Sequence, residues 1–224
     1  HAKRSPHLPL WTHGLLPDPR DAMPPPLMDC KPHWVIAPPS GRFDGPGWGD
    51  GSGYRGIDPR LTRCGWCVVQ VALRGATIRL TASLRGPLPG PIQATPAAEA
   101  YAFWQYLQHA GCPPHQYHTD CQWVQDCWAN GPLACTGSQH VFASLWRRIW
   151  WHIDDMGGSS QVTVTKVKAH ATRCAVLDGQ VRALDKAAND LADAGAKIAA
   201  QQHPSSPEVE KRCERTRLTM TMIA

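Results

Sequence analysis

The chain has 224 residues, enough for one domain of ordinary size with additional segments. Hydrophobic residues make up 42% of the chain, which supports a buried core, and there is no apolar run of about 18 residues that would predict a transmembrane helix. The formal net charge of +5 slightly favours polyanionic partners, but it does not identify a particular one.

The nine cysteines are an odd number and are scattered along the chain. Cys64 and Cys67 have the spacing of a zinc-binding pair, but they lie in a strand-like run, where residues three apart point to opposite faces, and no second pair follows. We therefore expect reduced thiols and an intracellular protein, nuclear or cytoplasmic. Because the chain begins with His1, we expect a fragment or a processed piece.

The first 43 residues hold ten of the 21 prolines and show no hydrophobic period. Such a composition buries too little apolar surface to offset the loss of chain entropy, so residues 1–43 are predicted to be a linker or an extended arm. Residues 44–200 are predicted to form the folded domain. Residues 201–224 are predicted to be a disordered tail.

Three strands are predicted at the start of this domain. The first is Trp48–Tyr54 in a Gly-rich segment, the second is the mostly apolar run Cys64–Val71, and the third is the alternating run Ala76–Arg85. Their short connections predict an antiparallel meander.

Helices and short strands are predicted to alternate in the remainder of the domain. Thr95 is predicted to cap the first helix, with Pro96 at its first position. The later elements are predicted as strand Gln116–Thr119, helices Gln122–Trp128 and 141–155, strand Gln161–Val167 and a last helix over about 186–201. The order predicts an α/β fold with a five-stranded mixed sheet and helices on both faces.

Four acidic residues stand out in this pattern. Asp50 lies in the Gly-rich first strand, Glu99 at the edge of the apolar stripe of the first helix, Asp120 at the end of the fourth strand and Asp193 in the Ala-rich last helix. Each alone is more often a turn residue, a helix cap or a solvated side chain. Together they predict a site for two Mg²⁺ ions, or Mn²⁺, because Mg²⁺ prefers oxygen ligands and two-metal sites hydrolyse phosphodiesters.

The sequence resembles a type 1 ribonuclease H domain of the kind carried by retroelement (non-LTR retrotransposon) polyproteins. The resemblance covers about residues 46–200 and is carried, in the family's order, by the strings Asp50-Gly-Ser-Gly53, Ala98-Glu99-Ala100, Thr119-Asp120-Cys-Gln122, Lys166-Val-Lys-Ala-His170 and Asn189-Asp-Leu-Ala-Asp193. It implies a ribonuclease H-like fold and an endonuclease that cuts the RNA strand of an RNA·DNA hybrid, leaving 5′-phosphate and 3′-hydroxyl ends.

The resemblance also implies a role for each matching residue. Metal binding would fall to the four carboxylates, and His170 on a loop would assist proton transfer or product release. Substrate contacts would come from polar residues of the same strings. Gln122 would contact the minor groove of the hybrid, Ser52 a phosphate or a 2′-hydroxyl group, and Asn189 the substrate near the last carboxylate.

The fourth carboxylate has two possible registers. Asp193 is preferred, because this register also matches Asn189 and Ala192 to the family. The alternative aligns Asn189 with the last carboxylate, so that Asp185 or Asp190 would have to substitute for it.

The implied setting is removal of template RNA during reverse transcription, with residues 1–43 as a tether to an upstream reverse transcriptase domain and no membrane partner. The sequence departs from the family at two places. Thr95-Pro96 occupies the positions where bacterial members have Asn, and Cys121 occupies a position where Ser is common. Two other functions are therefore kept as alternatives. One alternative is a catalytically inactive nucleic-acid-binding relic of such a domain. The other is a DNA nuclease of related fold, although such enzymes usually rely on three acids.

Overall fold

The computed structural model describes residues 19–54 and 61–223, so residues 1–18 of the predicted arm lie outside it. The described residues form two compact units. The larger unit is residues 26–203, and the smaller combines residues 19–25 with residues 204–223. The larger unit extends beyond the predicted domain, residues 44–200, at both ends.

A six-stranded mixed sheet forms the centre of the larger unit. Its strands are His33–Ile36 (β1), Gly47–Tyr54 (β2), Arg63–Arg74 (β3), Thr77–Pro87 (β4), His115–Thr119 (β5) and Val162–Lys166 (β6). They lie in the order β1-β4-β3-β2-β5-β6. The first three pairs in this order are antiparallel, and the pairs β2–β5 and β5–β6 are parallel. The predicted α/β class and mixed sheet are confirmed, with six strands instead of five.

The additional strand is β1, which lies in the Pro-rich segment predicted to be a linker. Val35 and Ile36 are exposed, so β1 buries too few side chains to produce an alternating pattern in the sequence. Its backbone pairs with the edge of β4, and the ring of Trp34 lies 4.9 Å from that of Phe43. Pairing to an existing edge and one aromatic contact therefore hold a strand that local sequence does not reveal.

The helices of the larger unit are Thr95–His109 (α1), Gln122–Ala129 (α2), Pro132–Cys135 (α3), Ala143–Asp155 (α4), Arg173–Leu177 (α5) and Ala183–Ala200 (α6). Ala94, not Thr95, occupies the N-cap position of α1, and the helix has no side-chain cap. No helix among residues 19–54 and 61–223 combines the length and the apolar character needed to cross a membrane.

The smaller unit contains a short 3₁₀-helix, Pro19–Ala22, and the helix Pro207–Ile223 (α7). α7 occupies most of the segment predicted to be a disordered tail. Proline at the first position and the good helix formers Glu, Lys and Arg that follow favour a helix here.

Hydrophobic layers cover both faces of the sheet. On one face, α1 and α4 bury a large aromatic core around Trp66 and Val68 of β3. On the other face, α6 packs three alanines against the alternate β3 residues Cys67, Val69 and Val71. Because alternate residues of β3 enter opposite layers, this strand is buried on both sides.

α1 approaches the sheet so closely that its backbone touches that of β2. β2 has glycine at every second position, residues 47, 49, 51 and 53. A Cβ atom on Gly51 would meet the backbone nitrogen of Glu99 and would lie 2.6 Å from the carbonyl carbon of Ala98. The Gly-rich segment is therefore a strand that permits close helix packing, and this packing carries Glu99 to Asp50.

We expect Gly51→Ala to lower the free energy of unfolding by about 1–3 kcal/mol or more, because the methyl group must displace α1. Gly137→Ala is the matched control, since a Cβ atom there has no neighbour within 4 Å. Denaturant unfolding of both variants measures the difference. Equal, small effects at the two positions would contradict the close packing of α1 on β2.

A buried histidine after α6 joins two distant segments of the larger unit. His203 Nδ1 accepts a hydrogen bond from the backbone N–H of Leu27 at 3.1 Å, and Nε2 donates to the carbonyl oxygen of Cys64 at 2.9 Å. Both bonds together require a neutral ring with its proton on Nε2. Burial lowers the pKa of His203 from its ordinary value.

The stabilising effect of His203 is expected to depend on pH. Because its pKa is lower in the folded state, the effect is present above the unfolded-state pKa of about 6.5 and is lost as pH falls through the folded-state pKa. The advantage of the parent over His203→Gln in free energy of unfolding should therefore shrink between about pH 7.5 and pH 5. A difference that stays constant over this range would contradict the neutral bridge.

Candidate metal centre

Three carboxyl groups from three different elements converge in the larger unit. Asp50 lies in β2, Glu99 in α1 and Asp120 directly after β5. One oxygen atom of each lies within 4.8 Å of an oxygen atom of the other two. Within residues 19–54 and 61–223, no other trio of His, Cys, Asp or Glu side chains meets this spacing. We refer to these three residues as the acidic cluster.

Strand register and helix packing place the acidic cluster. β2 and β5 are parallel neighbours with Trp48 opposite His118. Asp50 and Asp120 each lie two residues further along, so they leave adjacent strands at the same level and on the same face. The contact of α1 with Gly51 brings Glu99 to this point from the helix layer.

Two members of the acidic cluster, Asp50 and Glu99, are buried, whereas Asp120 is half-buried. Asp50 is 6% exposed and Glu99 is 5% exposed. Burial raises the pKa of Asp50 to about 7, and the charges of Asp120 and Asp193 add to the rise, while a hydrogen bond with Glu99 opposes it. Burial, followed by the charge of Asp50, also raises the pKa of Glu99 well above its ordinary value. These raised pKa values favour the protonated forms of Asp50 and Glu99 unless a cation compensates their charge.

The residues of the acidic cluster fit a divalent metal ion. Glu99 Oε2 is buried and has no hydrogen-bond partner among the residues that the structure describes. Burying a carboxyl oxygen without a partner is costly, and a cation at this point would satisfy it. All three side chains offer oxygen, the donor that hard cations prefer. Together with the fold, the acidic cluster indicates a divalent metal site.

α6 contributes an amide to the acidic cluster. Asn189 is 4% exposed, and its Nδ2 donates to Asp120 Oδ2 at 2.9 Å. Its Oδ1 is buried without a hydrogen-bond partner. This contact orients the Asp120 carboxylate and places a second unpaired oxygen beside it.

Asp193 lies one helical turn beyond Asn189. Its Oδ2 accepts a hydrogen bond from Lys197 Nζ at 2.7 Å, and its charge contributes to the raised pKa of Asp50. Asp193 is therefore near Asp50, although it is outside the trio that meets the 4.8 Å spacing.

Asp185 and Asp190, the other two acids of α6, are paired with cations, as Asp193 is. Asp185 accepts a hydrogen bond from the indole Nε1 of Trp48 at 3.2 Å and forms an ion pair with Arg182 at 2.7 Å. Asp190 is exposed and pairs with Lys186. Of the residues weighed for the fourth ligand, Asn189 contacts Asp120, and Asp193 is near enough for its charge to act on Asp50.

The remaining predicted residues have different surroundings. Ser52 is half-buried and lies two residues after Asp50, on the same face of β2. Gln122 is exposed at the start of α2, where its Nε2 donates to Asp126 Oδ1 at 2.7 Å. His170 is exposed between β6 and α5 with a φ of 45°. The structure therefore brings Ser52 beside the acidic cluster and leaves Gln122 and His170 on surface segments.

Two further residues lie beside the acidic cluster: Cys121, which the sequence marked only as a departure from the family, and Lys166, which begins one of the matching strings and received no role at the site. The Cys121 thiol is half-buried, and its pKa is raised by burial and by the charges of Asp120 and Asp50. Lys166 Nζ donates to the backbone carbonyl oxygen of Asp120 at 3.0 Å. Adjacency to Asp120 was a signal for Cys121, whereas the Lys166 contact depends on the parallel pairing of β5 with β6.

We expect the affinity of the acidic cluster for Mn²⁺ to fall as pH falls below about 7, because the metal ion competes with the protons held by Asp50 and Glu99. Calorimetric titration in two buffers of different ionisation enthalpy should show proton release on binding at neutral pH. Asp50→Asn should weaken binding, and the exposed-site control Asp190→Asn should not. Binding that is independent of pH would contradict the raised pKa values.

Comparison with solved structures identifies the fold. The RNase H domain of PFV is 19% identical, with a TM-score of 0.53, and the match covers 72% of this chain and 97% of that domain. RNase H1 from the halophilic archaeon Halobacterium salinarum is 20% identical, with a TM-score of 0.45, over 71% of this chain and 98% of that one. No protein-family model matches the sequence, and no curated protein matches it significantly. The likeness to the PFV domain shows a ribonuclease H-like fold, which confirms the predicted fold.

Proposed function

We propose that this chain is a metal-dependent endonuclease that hydrolyses the RNA strand of RNA·DNA hybrids. The observation that carries the proposal is the acidic cluster, in which the buried carboxyl groups of Asp50 and Glu99 and the half-buried one of Asp120 lie within 4.8 Å of one another on a ribonuclease H-like fold. Support also comes from the solved domain of the same fold, which is itself an RNase H domain.

Two Mg²⁺ ions, with Mn²⁺ as the alternative, are the proposed cofactors. When bound, they would supply charge relief at the phosphorus and an activated water nucleophile. Asp50, Glu99 and Asp120 would hold them, and Asp193 is proposed as the fourth carboxylate. Asn189 would orient Asp120 through the amide contact. To reach a metal ion, Asp193 would exchange its ion pair with Lys197 for the stronger charge of the cation.

Recognition of the hybrid is assigned to polar side chains around the acidic cluster. Ser52 shares the face of Asp50 and is proposed to contact a phosphate or a 2′-hydroxyl group, which distinguishes RNA from DNA. Gln122 is exposed and would exchange its bond to Asp126 for the minor groove of the hybrid. His170 is exposed on its loop and is proposed to assist proton transfer or product release.

The proposed biological setting is removal of template RNA during reverse transcription of a retroelement. Its macromolecular partners would be the RNA·DNA hybrid and an upstream reverse transcriptase domain of the same polyprotein. The mild positive charge of the chain is compatible with a polyanionic substrate.

Cleavage of a labelled RNA·DNA hybrid in Mg²⁺ tests this function. Asp120→Asn keeps the shape of the side chain and removes its charge, so we expect a loss of rate beyond the roughly 10–100-fold that follows loss of a supporting residue. Asp190→Asn, an exposed acid paired with Lys186, should retain the parent rate. If the parent protein binds the hybrid without cutting it, this result would contradict the proposed nuclease activity and indicate an inactive binding domain.

The concentration of Mg²⁺ needed for half-maximal rate separates the proposed roles of Asp193 and Asn189. Asp193→Asn should raise this concentration, because one ligand loses its charge, and Asn189→Ala should slow cleavage about 10–100-fold by releasing Asp120. If Asp193→Asn behaves like the Asp190→Asn control while Asn189→Ala abolishes cleavage, Asn189 and not Asp193 is the α6 residue that binds metal.

A further inference from the structure

A second group of metal-binding side chains lies in the segment that connects α2 to α4. Cys127 is near the end of α2, Cys135 is the last residue of α3, and His140 lies in the connection to α4. Cys127 is 6% exposed and Cys135 is fully buried. These three residues, the thiol–imidazole group, take no part in the acidic cluster.

Cys127 is the centre of the thiol–imidazole group. Its Sγ lies 3.7 Å from Nε2 of His140, and its backbone carbonyl oxygen accepts a hydrogen bond from Cys135 Sγ at 3.7 Å. Sulfur and nitrogen ligands of one tetrahedral zinc ion are separated by roughly 3.6 Å, given bonds of about 2.3 Å and 2.0–2.1 Å. Cys127 and His140 therefore already stand at the spacing of two ligands of one ion.

The three donors form a chain, with Cys135 and His140 on either side of Cys127, and as a trio they exceed the 4.8 Å spacing. Closing this chain around one ion requires a change of side-chain rotamer at Cys135 or His140. The backbone segments that carry them are already adjacent, since Cys135 Sγ also lies 3.7 Å from the carbonyl oxygen of Cys127.

Burial raises the pKa of the Cys127 thiol to about 12 and also raises that of the Cys135 thiol, and the indole of Trp150 opposes the rise at Cys135. Trp150 Nε1 donates to Cys135 Sγ at 3.2 Å, and an N–H donor to sulfur stabilises the thiolate that binds metal. The His140 ring lies nearly parallel to Trp123, with centroids 5.4 Å apart and an interplanar angle of 14°. Its Nδ1 is buried and has no hydrogen-bond partner within residues 19–54 and 61–223, so a contact at this nitrogen does not fix the ring's tautomer.

We propose that Cys127, Cys135 and His140 bind a zinc ion that holds α2, α3 and the connection to α4 together, with water as the fourth ligand. Zinc fits because thiolate and imidazole donors select it over Mg²⁺, whereas the acidic cluster offers only oxygen. Binding releases the thiol protons, so affinity rises with pH. The site is separate in donor chemistry from the proposed nuclease site and does not depend on that function.

The test is a titration of the full chain with Co²⁺, after reduction and removal of metal with a chelator, in excess Mg²⁺. Mg²⁺ competes for the acidic cluster, and only thiolate ligands give Co²⁺ a near-ultraviolet charge-transfer band. We expect this band to saturate at one Co²⁺ per chain and to disappear when Zn²⁺ is added. If the parent protein shows no such band, the proposal is overturned by this measurement alone.

Variants assign the band to these residues. Cys127→Ser and Cys135→Ser should each remove or strongly weaken it, and Cys174→Ser, which alters an exposed cysteine of α5, should leave it unchanged. His140→Gln should weaken Co²⁺ binding and alter the visible d–d spectrum. A full band in both Cys127→Ser and Cys135→Ser would overturn the assignment.

Two further measurements do not depend on the spectrum. Zn²⁺ should raise the Tm of the parent and of Cys174→Ser, and it should not raise that of Cys127→Ser, because a ligand that binds the folded state stabilises it. Mass spectrometry of the unreduced parent should show free thiols at Cys127 and Cys135. A disulfide between them in the freshly purified protein would overturn the metal site.

Discussion

The approach of α1 to β2 at Gly51 is the constraint on which the rest of the site depends. With a glycine at this position, the helix backbone rests on the strand, and Glu99 reaches Asp50. On the opposite face, α6 is seated in the same way: a Cβ atom on Gly65 of β3 would lie 2.6 Å from the carbonyl oxygen of Ala196. The two contacts bring α1 and α6 from opposite faces to the neighbouring strands that carry Asp50 and Asp120.

Burial of the carboxyl groups and the repulsion between them oppose this packing. Burial and mutual repulsion of the carboxyl groups raise the pKa of both Asp50 and Glu99, which favours their protonated forms in the metal-free fold. The hydrophobic layers on both faces hold the charges together. A divalent cation would relieve the repulsion and satisfy Glu99 Oε2, which links metal binding to the stability of the fold.

Local sequence pattern was enough to predict most of the fold and of the acidic cluster, because apolar alternation and helical stripes are properties of short segments. Local pattern did not predict the features that depend on tertiary contacts. β1 is held by backbone pairing with β4 at the edge of the sheet. The N-cap position of α1 is occupied by Ala94 and not by Thr95. The choice between Asn189 and Asp193 depends on how deeply α6 is seated, and only the folded chain shows the Asn189 amide on Asp120. Ser52, Gln122 and His170 concern a substrate, so their roles stay predictions.

The most direct test of the central claim is a comparison of substrates with the unaltered chain. An RNA·DNA hybrid, a DNA duplex and an RNA duplex of the same sequence are incubated with Mg²⁺, and a parallel set contains excess chelator. The account predicts cleavage of the RNA strand of the hybrid alone, and none in chelator. Equal cleavage of the DNA duplex, or cleavage of the hybrid that continues in chelator, would contradict it.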